Sequence, residues 1–319
     1  MISEVNNSNK IKVVSYSSAW PRIFAAESIK IKKALGSYYV SIHHIGSTSV
    51  PGLAAKPKID IIAGVNTLTF DYKNLQELNY EYVPGFNIPF RRSFVYRSVN
   101  LNINLHIFEE NDPEIELNLL FRDYLRKCSK TRNQYSALKY RLLEIDSSHE
   151  KSKELLRGYT LGKHDLIQDI LKKTNFKRLR IVICTHYTEW EFAKNLRNKY
   201  SSRINEKSVP FVFTSNSENH KHFILYHGTN IVGYAHIHLY QTKVATLCFF
   251  AIEKDYKGNG FGTSFIKLLE KWIKLEGYKS IYIKNSLVKL EFFQHFNFIK
   301  FDSRDLDSYE GNVYFKKLS

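Results

Sequence analysis

The sequence predicts an α/β protein built as two successive α+β units, each a mixed sheet with helices. Three observations carry this. Short β-branched apolar runs give way at Asp112 to helical spacing, and a fresh series of such runs follows the basic, polar stretch Lys172–Arg180. The 319 residues suit two domains at roughly 100–200 residues each. The halves share no visible repeat, so two unrelated domains are expected, 1–175 and 177–319.

The elements follow in order. Ile11–Ser15 reads as a short strand, and Trp20-Pro21 opens a helix because proline suits the first turn. Trp20, Phe24, Ile31 and Leu35 share one face of it, and Gly36 caps it. Tyr39–Ile45 is a strand, a Gly/Ser/Pro-rich loop runs to Pro57, and Lys58–Val65 reads as a buried strand. Phe94–Arg97 and Leu101–Phe108 are further strands. Helical spacing then marks Ile115–Cys128, Tyr135–Ile145 and Leu166–Leu171.

The second half reads as strand Leu179–Thr185, helix Glu189–Tyr200, then strands Pro210–Thr214, Phe223–His227, Ile231–Tyr240 and Val244–Ile252. A glycine loop leads into a long helix ending at Leu275. Strand Ser280–Ile283, helix Val288–Phe296 and strands Phe298–Phe301 and Val313–Lys317 close the chain.

Composition narrows the function classes. Hydrophobic residues make up 43% and charged residues 24%, which argues against a disordered chain. No apolar run approaches the ~18 residues of a membrane span, and the N-terminus lacks the basic and apolar regions of a signal peptide. Cys128, Cys184 and Cys248 stand far apart, which excludes a disulfide scaffold or thiolate zinc site and suits the cytoplasm. The net charge is +16, with 25 basic and 18 acidic residues through position 176 and 22 and 13 after it. The excess never forms a block of five like charges. It fits small anions such as phosphates, or a plain basic surface, and nucleic acid is not the expected partner.

Two segments carry chemistry. In the second half, a strand ending Phe250-Ala251-Ile252 runs through Glu253 into Lys257-Gly258-Asn259-Gly260-Phe261-Gly262-Thr263 at a helix start. Glycines let successive amides turn inward, and a helix N-terminus adds unpaired donors and positive dipole. Together they form a seat for a pyrophosphate, to which Lys257 adds charge and Thr263 a hydroxyl. The spacing is not that of a Rossmann or Walker loop. Glu253, or His236 and His238 on one strand face, are the residues near this segment able to take a proton, and His295 is a further group that could titrate. In the first half, His44-Ile45-Gly46-Ser47 ends a strand, and a loop through Lys56 leads to a strand carrying Asp60. Gly-Ser lets backbone amides approach a phosphate, and a carboxylate on the next strand can hold a divalent ion.

The second segment resembles the acetyl-CoA signature Arg/Gln-x-x-Gly-x-Gly/Ala of the GNAT N-acetyltransferase superfamily, over roughly residues 178–319. The resemblance implies a GNAT-type mixed sheet flanked by helices and acetyl-CoA as cosubstrate, with a small-molecule or protein amine as acceptor. It places the pantetheine arm along Phe250, Ala251 and Ile252, and a further contact at Asn285. Two departures stand out: Lys257 replaces the planar Arg/Gln, and Phe293 occupies a position where that family often has a tyrosine that protonates the thiolate.

The first segment resembles the GrpB family over roughly residues 11–173, through His44–Asp60, Arg91–Val95, Leu105–Ile107 and Phe121–Leu125. That resemblance implies a nucleotidyltransferase-like mixed sheet with helices. It marks Gly46, Ser47, Lys56, Asp60, Arg91, Arg92 and His106 as a phosphate- or nucleotide-binding set. Ile62 stands where active nucleotidyltransferases carry a second acid, leaving one softer metal on Asp60, His106 and His43 or His44 as an option. Three functions follow: acetyl transfer with a nucleotide-binding first domain, ligand binding without catalysis, or active nucleotidyl transfer.

Overall fold

The computed structural model describes residues 13–85, 87–146, 162–201, 214, 217–284, 290–301 and 313–318. The chain divides into two compact units, one of Met1–Gly85 with Phe90–Lys177, the other of Phe86–Pro89 with Arg178–Ser319.

The first unit opens with α1 (Ala19–Leu35), whose start is tied by the Ala19 N–H to the Ser17 hydroxyl at 3.2 Å. Trp20, Ile31 and Leu35 are its buried apolar residues, and Gly36, at φ 54°, ends it by donating to the Lys32 carbonyl. The strands are β1 (Tyr39–Ile45), β2 (Ile59–Val65), β3 (Glu81–Val83), β4 (Arg92–Arg97) and β5 (Asn102–Glu109), with a short helix α2 (Lys73–Glu77) before β3. They lie in the order β1-β2-β5-β4-β3, with β2 and β5 parallel and the other pairs antiparallel.

Register sets one face. Asp60 pairs with Ile45 and Asn104, and His106 with Ile62 and Ser93, so period-two alternation puts these side chains together. Among the described residues, helices α3 (Pro113–Lys127), α4 (Ser129–Asp146) and α5 (His164–Lys173) follow. Asp112 caps α3 by accepting from the Glu114 N–H at 2.9 Å, Pro113 fills the first turn, and Arg126 and Lys127 sit at its negative end. Val50, Leu53, Leu125, Tyr135 and Ile170 form a core under these helices.

In the second unit, β6 (Leu179–Ile183), α6 (Tyr187–Ser201), β7 (His220–His227), β8 (Asn230–Leu239), β9 (Val244–Ile252) and α7 (Phe261–Leu275) are followed by β10 (Ser280–Lys284), α8 (Leu290–Gln294), β11 (Ile299–Phe301) and β12 (Val313–Lys317). The sheet order is β11-β12-β10-β9-β8-β7-β6, antiparallel except for β9 with β10. Alternation again makes two faces. Ile224, Tyr226, Tyr234 and Phe249 pack with Ala193 and Leu196 of α6, while Phe223 meets Trp272 and Phe250 meets Phe265 of α7. The mixed α/β architecture with two mixed sheets is the expected one. Of the sequence-predicted strand Pro210–Thr214 only Thr214 lies among the described residues.

Candidate functional sites

In the first unit the site grows from the end of β1. Gly46 takes φ 68° and ψ −171°, and a Cβ there would stand 2.7 Å from Asp60 Oδ2. Only glycine satisfies both the conformation and the space. The chain then makes one tight turn, Ser47–Ser49, pinned by the Ser49 hydroxyl donating to the Gly46 carbonyl at 2.6 Å. The Thr48 hydroxyl donates to the Lys58 carbonyl at 3.1 Å and so accepts from His44 Nε2, also at 3.1 Å. Asp60 Oδ1 accepts from Asn104 Nδ2 at 2.7 Å, and Asn104 Oδ1 accepts from Arg97 at 2.7 Å. Arg97 thus fixes the Asn104 amide, and the amide orients the carboxylate.

Asp60 lines two cavities. One, of about 140 Å³, is bounded by Ser47, Lys56, Lys58, Asp60, Lys139 and Lys163. Lys139 of α4 is only 2% exposed. Its ammonium donates to Ser47 Oγ at 2.6 Å and to the Ala54 carbonyl at 2.8 Å, and lies 4.3 Å from the Tyr135 ring centre. Burial, with Lys163 beside it, lowers the Lys139 ammonium to about 7, and burial lowers Lys163 to about 8. Four lysines against one carboxylate make this a seat for an anion. Lys139 and Lys163 are absent from the sequence-predicted set. Lys139 stands on α4 and Lys163 just before α5, in segments that carry no local signal of a site.

The second cavity, of about 210 Å³, has Gly46, Asp60, Arg91, His106, Glu114 and Asn118 in its wall. The structure therefore brings Ser47, Lys56 and Asp60 together in the first cavity, and places Arg91 and His106, with Gly46, in the one across the carboxylate. Arg92 lines neither cavity, because it begins β4 one residue out of step with Arg91 and Ser93.

The metal option is corrected. Among the described residues no group of three or more His, Cys, Asp or Glu side chains stands together in a way that could hold an ion. Strand alternation turns His44 to the α1 side, where it stacks on Phe24 with ring centres 4.9 Å apart. Burial pushes it down to about 4. The position beside Asp60 on β5 is Asn104, so no second acid compensates for Ile62.

In the second unit the site forms where β9 outruns its neighbour. The parallel β9–β10 pairing ends at Leu247 with Ile283, while β9 stays paired to β8 through Ile252. A bulge at the step from Leu247 to Phe249 leaves Cys248 as the extra residue and turns the strand. Phe250, Ala251 and Ile252 thus present an edge with no strand hydrogen-bonded to it among the described residues. An extended amide chain fits such an edge by adding itself as a strand.

At the end of β9, Gly258 (φ 81°) and Gly260 (φ 75°) take left-handed backbone, with open space where a Cβ would lie. Gly262 is favoured for a different reason, since a Cβ would press on the Phe292 ring at 3.3 Å. Asn259 donates back to the Tyr256 carbonyl at 3.4 Å, Phe261 packs 5.0 Å from His227, and Lys257 lies 4.8 Å over Tyr200. The first turn of α7, from Phe261 through Thr263, holds no acidic residue, so its amides face outward with nothing to repel an anion. Asn285 lies outside the described residues.

Glu253 accepts from the Lys254 N–H at 2.8 Å and forms an ion pair with Lys199 of α6. The hydrogen bond from Lys199 holds it below the usual carboxylate range. His295 is exposed beyond α8. His236, opposite Phe249 in the ladder, belongs to a buried imidazole group. Arg197 lies 3.3 Å from its Nδ1, so Nδ1 accepts and Nε2 carries the proton, which it donates to His220 Nδ1 at 2.7 Å. His222 stacks on His236 at 4.3 Å and His238 on His220 at 4.1 Å. Phe293 is buried among Phe250, Phe292 and Phe298, with no hydroxyl to offer.

Comparison with known proteins places both halves. Residues 10–173 match the family model described as GrpB protein, and residues 186–298 match that of the acetyltransferase (GNAT) family. A UPF0157 protein of Halalkalibacterium halodurans is 33% identical over 170 residues, covering 52% of this chain and 83% of its own length. The crystal structure of the conserved protein GrpB from Enterococcus faecalis covers 51% of this chain and 96% of its own, at 30% identity and a TM-score of 0.46. That of a GNAT-family acetyltransferase from Staphylococcus aureus covers 44% and 100%, at 15% identity and a TM-score of 0.38.

Proposed function

The chain belongs to the GrpB family and carries a GNAT-family acetyltransferase domain at residues 186–298, and from this premise we propose that it is a cytoplasmic acetyl-CoA-dependent N-acetyltransferase acting on a small-molecule or protein amine. In this reading 1–175 and 177–319 are separate domains, and the first binds a phosphate-bearing ligand such as a nucleotide. The observation that carries the acetyl-transfer reading is the open β9 edge running straight into a glycine-lined helix N-terminus.

Acetyl-CoA supplies the thioester. The amides of Phe261, Gly262 and Thr263, with Lys257, hold its pyrophosphate, and Phe250–Ile252 pair their backbone with the pantetheine amides. This fixes the carbonyl against the amine, which converts a bimolecular encounter into a positioned one. The amine must lose a proton as it attacks. Glu253 is committed to Lys199 and to its own turn, and His295 points to solvent. We therefore assign the proton path to His236: its Nδ1 takes the amine's proton as Arg197, 3.3 Å away, gives up that nitrogen, and its Nε2 passes its own proton to the half-buried His220. The second transfer follows the hydrogen bond already made from His236 Nε2 to His220 Nδ1.

The first unit binds without transferring nucleotide in this reading. Two-metal nucleotidyl transfer needs paired acids, and Asp60 has Ile62 and Asn104 as its neighbours. The lysine-lined cavity serves as the anion seat. A second reading, ligand binding by both units without turnover, draws on Phe293 in the place of a thiolate-protonating tyrosine.

The test is thiol release from acetyl-CoA with a panel of amino acids, polyamines, aminoglycosides and lysine peptides, beside thermal shift with acetyl-CoA alone. Amine-dependent thiol release supports the transferase. A melting-temperature rise without release favours the binding reading, and no rise at saturating acetyl-CoA removes both for this half.

A further inference from the structure

The cavity across Asp60 from the lysines differs from them in chemistry. Its volume, about 210 Å³, equals that of about seven liquid waters. Arg91 Nε and His106 Nδ1 are buried in its wall with no hydrogen-bond partner, and Ser93 Oγ, across the ladder from His106, is in the same state. Leaving a buried polar atom without a hydrogen bond costs about 1–3 kcal/mol, so folds rarely keep two in one cavity wall without a use.

The charges are arranged in two poles. Arg91 offers a planar cation, which suits a carboxylate in bidentate fashion. Asp60 and Glu114 offer acceptors to a cation. His106 stays neutral, since burial, with Arg91 nearby, pushes it down to about 4. Ile45, Ile62 and Phe108 complete the wall with apolar surface. A simple anion would answer Arg91 but would meet two carboxylates, and a simple cation would meet the guanidinium.

We propose that this cavity binds a small zwitterion of amino-acid size, its carboxylate on Arg91 and its ammonium on Asp60 and Glu114. The site is separate from the lysine-lined one and does not depend on the acetyl-transfer reading. Asp60 faces both cavities, so the two ligands of this unit would share one oriented carboxylate.

Titration calorimetry with glycine, L-serine and β-alanine tests it, beside lactate and propionate, which lack the amine, and ethanolamine, which lacks the carboxylate. At least one zwitterion should bind, and removing either pole should weaken binding at least tenfold. Arg91→Met should abolish zwitterion binding, because it removes the planar cation that holds the carboxylate. Arg91→Met should also keep pyrophosphate binding, and Lys139→Met should lose pyrophosphate but keep the zwitterion. No binding by any zwitterion overturns the proposal. So does binding that survives Arg91→Met, the retained pyrophosphate binding of that variant showing that it is folded. Pyrophosphate binding in the same proteins reports separately on the lysine site.

Discussion

The Lys139 ammonium donates to the Ser47 hydroxyl at 2.6 Å across 92 positions of sequence. This contact joins a helix to the glycine–serine turn and defines what that turn can hold. It places a nearly dry amine at the point where an anion would sit.

Anion binding at this seat is therefore coupled to protons. Before an anion binds, burial holds Lys139 near 7 and Lys163 near 8 instead of the ordinary 10.5. A bound phosphate favours the charged ammonium, so binding takes up protons when pH lies near or above those values. Pyrophosphate affinity should fall as pH rises from 6.5 to 8.5, and calorimetry in buffers of different ionisation enthalpy should show proton uptake. Lys56, Lys58 and Asp60 share the cavity, and Lys139→Met removes the largest part of the slope. An affinity that stays flat over this window would separate the lysines from the ligand.

The glycines divide by mechanism. Gly46→Ala meets both a left-handed backbone and the Asp60 carboxylate at 2.7 Å, and should cost about 2–4 kcal/mol of stability, read by denaturant unfolding. Gly260→Ala has open space and pays only for its φ, about 1–2 kcal/mol. Gly262→Ala has ordinary backbone but presses on Phe292, so Gly262→Ala with Phe292→Leu should recover most of the loss. A double variant no better than Gly262→Ala alone contradicts the contact.

Much of this was legible in the residues. Tyr39–Ile45, Val244–Ile252 and Val313–Lys317 show unbroken apolar or alternating runs, and the strands have those bounds. The helix cap at Gly36 follows from its position after an apolar stripe. Lys73–Glu77 and Glu81–Val83 were not legible, since each is too short to show a period. Lys139 and Lys163 look like ordinary surface lysines, because their desolvation comes from partners far away in sequence. The separation of Arg91 from Arg92 was available: alternation in a strand sends neighbours to opposite faces.

Glu253 and His236 make opposite kinetic claims. If the proton leaves by His236, His236→Gln should lower kcat about 100-fold while the acetyl-CoA KM stays nearly unchanged. Glu253→Gln should lose the ion pair with Lys199 and little activity. His220→Gln should resemble His236→Gln, since it breaks the 2.7 Å link. The reverse pattern, a large loss only in Glu253→Gln, would make the carboxylate the base.

Both units bury neutral imidazoles, which makes the protein sensitive to mild acid. Burial pushes His44, His106 and His222 from an ordinary 6.5 down to about 4, and His236 to about 2. Between pH 6.5 and 4 the unfolded chain accepts protons that the fold refuses, so stability is full above 6.5 and falls as pH drops. A complete shift from 6.5 to 4 corresponds to about 3 kcal/mol for one such histidine. Asp123, held low by Arg122, and Glu253, held low by Lys199, act in the same direction, because their contributions are lost as acid protonates them. Melting temperature should therefore decline steeply from pH 6.5 to 4.5, with net proton uptake on unfolding. His44→Gln should flatten the decline in the first unit and His222→Gln in the second, since neither glutamine can titrate. A melting temperature constant over that range would mean that these imidazoles reach water in solution.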